Sequence, residues 1–206
     1  YVRTLIKPFN PQSPYQTEVR NLMSAISQAW DAELDDTQRE SWAVWAKTHK
    51  LKNRLGKETE LTAIAWFTRI NFNRQFFSAG TVTTNLLVPP ANQQVTPLTA
   101  FGEATPPSYS VASTTIEADL MPSATGITNN RNAMFVSPVM RPGATRPAPT
   151  IYITSVVAVD PVSIGYPVAR LGAPAVGDRF TLEVMRVSMI TGAATERIKT
   201  IITAAA

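Results

Sequence analysis

The chain has no cysteine and a single histidine, His49, in 206 residues. The first absence removes disulfides, thiolate nucleophiles and cysteine-ligated zinc together. The second leaves one imidazole on which any Ser-His-Asp triad would have to be built. His49 stands between Lys47 and Lys50 at the end of a predicted helix, the setting of a surface or capping histidine. Metal ligation then falls to carboxylates, and Asp35-Asp36 have no third ligand at calcium-loop spacing. They read as helix caps, and Asp119, Asp160 and Asp178 as turn aspartates. Glycine is scarce, nine in all, and Gly165, Gly172 and Gly177 lack the strand, loop and helix context of a phosphate-binding loop. No apolar run approaches the roughly 18–20 residues that cross a bilayer, so no membrane span is expected. These absences predict a non-enzymatic protein with no catalytic residue, no cofactor and no metal. A start at Tyr1, not at a methionine, reads as a processed protein or a fragment.

What is present is globular in character: 44% of residues are hydrophobic and 17% charged. The net charge of +4 is modest, so its distribution matters more than its size. Lys47, Lys50, Lys52, Arg54 and Lys57 fall in one stretch without an acid, and Arg131, Arg141 and Arg146 fall in another. Two readings stand for both: solvated loops, or contact with an acidic partner, protein or nucleic acid.

Composition changes near Gly80. Before it lie all four tryptophans, five of the eight phenylalanines and 11 of the 19 basic residues. After it come Thr, Val, Ile, Ala and Pro, with few charges. Residues 1–13 hold Pro8 and Pro11 without helical period and read as an extended arm. In it Tyr1, Val2, Arg3, Leu5, Ile6 and Phe9 are candidate subunit contacts. Residues 14–80 read as a three-helix module. Ser13-Pro14 starts the first helix, with Val19, Leu22, Ile26, Ala29 and Trp30 on one face. Asp35 or Asp36 caps the second, whose stripe is Arg39, Trp42, Trp45, Ala46 and His49. Leu51 to Glu60 reads as a turn or loop, and Thr62 opens a third helix that is apolar nearly all round. Trp30, Trp42, Trp45 and Trp66 fall on apolar stripes, which favours core packing over a stacking platform for bases or sugars. A core this thin predicts packing against a second module or another subunit.

Pro89-Pro90, Pro97 and Pro106-Pro107 make residues 81–107 a proline-rich connector. Residues 108–206 read as a β-sandwich-like domain. Alternation runs through Tyr109 to Ala118, and Ala133 to Met140 is a strand that Pro138 would confine to an edge. Ile151 to Val159 is a strand buried on both sides, and Arg179 to Met189 turns at Thr191-Gly192 into Thr195 to Thr203. The predicted class is segregated α+β, a helical module followed by an antiparallel sandwich.

Two stretches carry a resemblance. Lys7-Pro-Phe-Asn-Pro-Gln-Ser-Pro-Tyr-Gln16, with Arg20, Trp30 and Leu34-Asp-Asp-Thr-Gln-Arg-Glu-Ser-Trp42, resembles a group of poorly characterised phage, prophage and environmental bacterial proteins. The group carries an Asn-Pro-x-Thr-Pro stretch before a tryptophan-containing helical hairpin; here Ser13 takes the place of the threonine, and the group's preceding glycine-containing segment is absent. Gly172 to Phe180, continuing through Val187 and Thr191-Gly192, looks like the closing strands of a fibronectin type III or immunoglobulin-like sandwich. The resemblance implies no catalytic residues.

The expected function is a structural or assembly protein that forms homo-oligomers or joins other structural subunits. It would be a virion component of a tailed bacteriophage: a capsid, decoration or tail-associated subunit. The alternatives are a secreted or cell-surface filament subunit, or a carbohydrate- or nucleic-acid-binding module.

Overall fold

Capping and apolar period coincide in three places, and a helix forms at each. Ser13 Oγ accepts from the Gln16 amide and Pro14 takes the first helical position, so α1 runs Pro14–Ala32. Asp35 accepts from the Gln38 amide at 2.7 Å while Gln38 accepts from the Asp35 amide at 3.0 Å, a reciprocal box that opens α2, Asp36–Thr48. Thr62 caps α3, Ala63–Phe76. The computed structural model that shows these helices describes residues 13–52, 57–78, 80–91, 98, 100–101, 106–118, 120–121, 129–140, 144, 150–157 and 162–206.

The three helices share one core, in which Ile26 and Ala29 meet Trp42, Trp45, Trp66, Phe67 and Ile70. Trp42 packs edge-on to Trp45 and Phe67 at 5.8 and 5.6 Å, the arrangement the ring quadrupoles favour. The stretch between α2 and α3 departs from the expected loop. Strands β1, Lys50–Lys52, and β2, Glu58–Glu60, pair antiparallel with Lys50 opposite Glu60. Residues 81–91 lie strapped along the helices. Trp42 Nε1 donates to the Leu87 carbonyl at 3.0 Å and Trp45 Nε1 to the Pro90 carbonyl at 3.2 Å. The Leu86 amide donates to Asn71 Oδ1 at 2.7 Å. Each indole thus buries its apolar body in the helical core and spends its one donor on the strap.

The rest of the described residues are mainly strand. Ala100–Phe101 (β3) pairs with Leu120–Met121 (β6), and between them lie β4, Ser108–Ser110, and β5, Thr115–Ala118. There follow β7, Asn130–Val136, β8, Ile151–Val157, β9, Val162–Gly165, the one-turn helix α4, Val168–Leu171, β10, Arg179–Ser188, and β11, Ile198–Ala205. Seven of them form one continuous sheet in the order β8-β7-β10-β11-β4-β5-β9. All neighbours are antiparallel except β4 and β11, which run parallel. The class is α+β, helices followed by a curled mixed sheet, and the parallel pair departs from the wholly antiparallel expectation.

Three strands differ from their sequence reading. Tyr109 to Ala118 is a hairpin, with a turn at Val111–Thr114 in which Thr114 takes φ 53. Tyr109 and Ile116 are therefore both buried although a straight strand would send them to opposite faces. β7 stops at Val136, before Pro138, and lies inside the sheet, not at an edge. β8 is an edge strand, with β9 at the opposite edge, and its Ile151 to Thr154 side chains are half-buried.

Alternation along β10 separates two cores. Phe180, Leu182 and Val184 enter the cluster inside the curl, with Tyr109, Ile116, Met134, Tyr166 and Ile202. Val187, with Ala133, Phe135 and Met189, faces outward onto Phe77. This outer cluster is the floor on which the helices stand. Gly192, φ +65, lies so close to α3 that a Cβ would sit 2.8 Å from Ile70 Cγ2 and press on the Ile70 carbonyl oxygen. Buried Arg74 donates to the Met189 carbonyl at 2.8 Å and the Thr84 carbonyl at 3.2 Å, joining α3, sheet and strap.

Two expectations follow. Gly192→Ala should lower unfolding free energy in urea by about 3 kcal/mol, from left-handed strain plus overpacking. Gly177→Ala, at φ +89 but with nothing within 4 Å, should lose only about 1 kcal/mol. Equal losses would show that the close approach contributes nothing. In the inner core, burial first and the neighbouring Tyr109 second push the Tyr166 phenol up to about 12, above the ordinary 10.0. The unfolded chain then releases this proton first, so the associated stability is complete below pH 10.0 and is lost as pH rises through about 12. Tyr166→Phe should flatten urea-unfolding stability across that window.

Candidate functional site

The described members of the sequence-predicted basic set fall in two places, the stretch from the end of α2 to β2 and strand β7. Lys47 is exposed in the last turn of α2. Lys50 pairs with Glu60 at 3.1 Å. The strand register sets Lys52 opposite Glu58, and Lys57 leads into β2. The hairpin therefore brings Glu60 back to Lys50 and sets Glu58 in register with Lys52, a pairing that the linear order hides. Arg131 lies on β7, half-buried, opposite Val187 and Val157. Among the described residues no ion pair or hydrogen bond joins it to the hairpin. Arg54, Arg141 and Arg146 lie outside the described residues, as do the arm candidates Tyr1, Val2, Arg3, Leu5, Ile6 and Phe9.

His49 closes α2. Its ring stacks on Trp45 with centroids 3.7 Å apart, and Nδ1 lies 2.8 Å from the Trp45 carbonyl oxygen, to which the Nδ1-protonated tautomer donates. This is a helix-end contact of the kind the sequence suggested. Asp178 accepts from the Ala175 amide at 2.8 Å, a local turn bond. Among the described residues no three His, Asp or Glu side chains gather around a point that would hold a metal. No described helix is long and apolar enough to cross a membrane.

Two concavities flank the N-terminal half of α1, and the sequence reading named neither. The larger, of about 880 Å³, is an apolar groove between α1, α3 and the end of β10. Val19, Met23, Ile64, Phe72 and Met185 line it, with Arg69, Glu196 and Arg197 among the polar lining. Arg197 is held by Glu183 at 3.0 Å and lies 3.8 Å over the Phe135 ring. Met23 and Ile64 remain 40% and 39% exposed, high values for side chains of their size.

The smaller, of about 520 Å³, lies on the other side of α1. Its wall is aromatic: Tyr15 packs on Tyr152 at 6.4 Å and edge-on to Phe76 at 6.0 Å. Glu18, Gln75 and Arg170 add polar groups. The Arg170 guanidinium sits 5.5 Å over the Tyr15 ring and donates to the Tyr152 carbonyl at 3.3 Å. Burial, then the neighbouring Tyr152, raises the pKa of the Tyr15 phenol. A sequence signal for one wall of this pocket did exist, since Tyr15, Glu18 and Leu22 follow helical spacing, but the facing residues come from two distant stretches, Gln75 to Thr83 and Tyr152 to Arg170.

No protein-family model and no curated protein matches the chain. A partial structural likeness exists to the adhesin domain of Epf from Streptococcus pyogenes, at 14% identity and a TM-score of 0.34. It covers 54% of this chain and 34% of that one, so the chain spans about a third of that structure. A likeness of this size assigns neither a fold family nor an activity.

The hairpin pairing makes a measurable claim. Replacing Glu58 and Glu60 together by Gln removes two negative charges, taking the formal net charge from +4 to +4 + 2 = +6. The variant should elute from heparin at higher salt than the parent chain. Identical elution would mean that these carboxylates do not mask the basic run.

Proposed function

We propose that this chain is a non-catalytic structural or assembly subunit, a capsid, decoration or tail-associated component of a tailed-phage virion. The observation that carries the assembly half is the apolar groove beside α1. Solvent-facing Met23 and Ile64 there extend an apolar lining from Val19 to Met185, surface that gains from being covered. The occupant we assign is the N-terminal segment of a neighbouring copy, in which Tyr1, Val2, Leu5, Ile6 and Phe9 supply five apolar side chains in nine residues. The virion setting rests on the resemblance of residues 7–42 to phage and prophage proteins. The fibronectin type III or immunoglobulin-like reading of β10 and β11 belongs to the same proposal.

A secreted or cell-surface filament subunit is the second reading, and the observation favouring it is β8. This seven-residue strand ends the sheet, where a strand from another subunit can add by main-chain hydrogen bonds. Nucleic-acid contact is less favoured, because Lys50 already holds Glu60.

Native mass measurement and electron microscopy test the proposal on three proteins: the full chain, a deletion of residues 1–12 that keeps the Ser13 cap, and Ile64→Glu. The full chain should assemble, and both variants should remain folded monomers by circular dichroism. An oligomer unchanged in both variants would defeat the assignment of arm and groove.

A further inference from the structure

The smaller concavity has a chemistry that the assembly role does not use. Glu18 and Arg170 line the same 520 Å³ pocket, and both act on Tyr15: the guanidinium from 5.5 Å over the ring, the carboxylate through its charge on the phenol. Yet they form no ion pair with each other. Two opposite charges held apart across one pocket suit a ligand that both donates and accepts hydrogen bonds. The two charges offset each other for a net anion or a net cation, so the pocket favours neither and suits a ligand that is neutral overall. Donors and acceptors are available for it. Arg170 has five N–H donors and uses one on the Tyr152 carbonyl. Gln75 donates through Nε2 to Asn85 Oδ1 at 2.8 Å, which leaves its Oε1 as an acceptor. The wall between these polar groups is aromatic, formed by Tyr15, Phe76 and Tyr152.

A pyranose ring has this double character, one face of C–H groups for an aromatic wall and a rim of hydroxyls that both donate and accept. The volume also falls within the roughly 300–1,000 Å³ usual for a small-ligand pocket. We infer that the pocket between the start of α1, β8 and α4 binds a neutral sugar unit of a glycan. Tyr15, Phe76 and Tyr152 pack on its apolar face, while Glu18 accepts from its hydroxyls and Arg170 donates to them.

Glu18 and Arg170 are both exposed, so their loss should leave the fold intact. The test applies the full-length chain to a glycan microarray, followed by titration of the best-bound glycan in solution. Glu18→Ala and Arg170→Ala should each weaken that affinity about 10-fold, the scale of one charge-assisted hydrogen bond. Circular dichroism and thermal melting should match the parent chain. The inference is overturned if the parent chain retains no glycan above background. It is equally overturned if the bound glycan's affinity is unchanged in the double variant.

Discussion

The arrangement of this protein depends on one close contact, the approach of α3 to the turn at Gly192. Ordinarily a helix meets a sheet through side chains, at a separation set by their bulk. Here the Ile70 carbonyl lies where a Cβ on residue 192 would stand, so only a residue without a side chain permits the approach. The turn's own carbonyls are then satisfied from the helix: Asn73 donates to Gly192 and Arg74 to Met189. Burial pushes the Arg74 guanidinium below its usual pKa, which marks how little water reaches it. The same side chain also holds the Thr84 carbonyl of the strap, so helix, strap and sheet share one anchor. Truncating it would leave two carbonyls without that donor, a larger disturbance than the loss of a single contact.

Much of the helical part was legible because its determinants are local. Ser13-Pro14, Asp35 with Gln38, and Thr62 act within three residues of themselves, and the structure starts a helix at each. The tryptophan stripes were legible for the same reason. What escaped was decided by residues meeting across the chain. The basic run looked uncompensated because its acids, Glu58 and Glu60, come after it and reach it only through strand pairing. The reversal at Val111–Thr114 was hidden because a period of two survives a four-residue turn, although the turn exchanges which parity faces inward. β8 looked like an interior strand because its residues are apolar and β-branched, but position in a sheet is a property of topology. The indole N–H bonds to Leu87 and Pro90 were likewise invisible, since each spans 45 residues.

The two concavities arise from one feature of α1. Positions 19 and 23 are one helical turn apart on one flank, and 15, 18 and 22 share the other, with Ile26 and Ala29 buried farther along the helix. By docking through that buried stripe, α1 divides the adjoining surface into an apolar groove and an aromatic pocket bearing charges of both signs. Surfaces so different in chemistry select different partners: the first rewards the burial of alkyl groups, the second the matching of hydroxyls to fixed donors and acceptors. The groove lining includes neither Glu18 nor Arg170, and the pocket lining includes neither Met23 nor Ile64. The proposed segment in the groove and a ligand in the pocket would therefore contact different side chains of α1. The proposed assembly contact and the inferred ligand pocket are thus built from separate residues of one helix, and a substitution in either lining leaves the residues of the other in place.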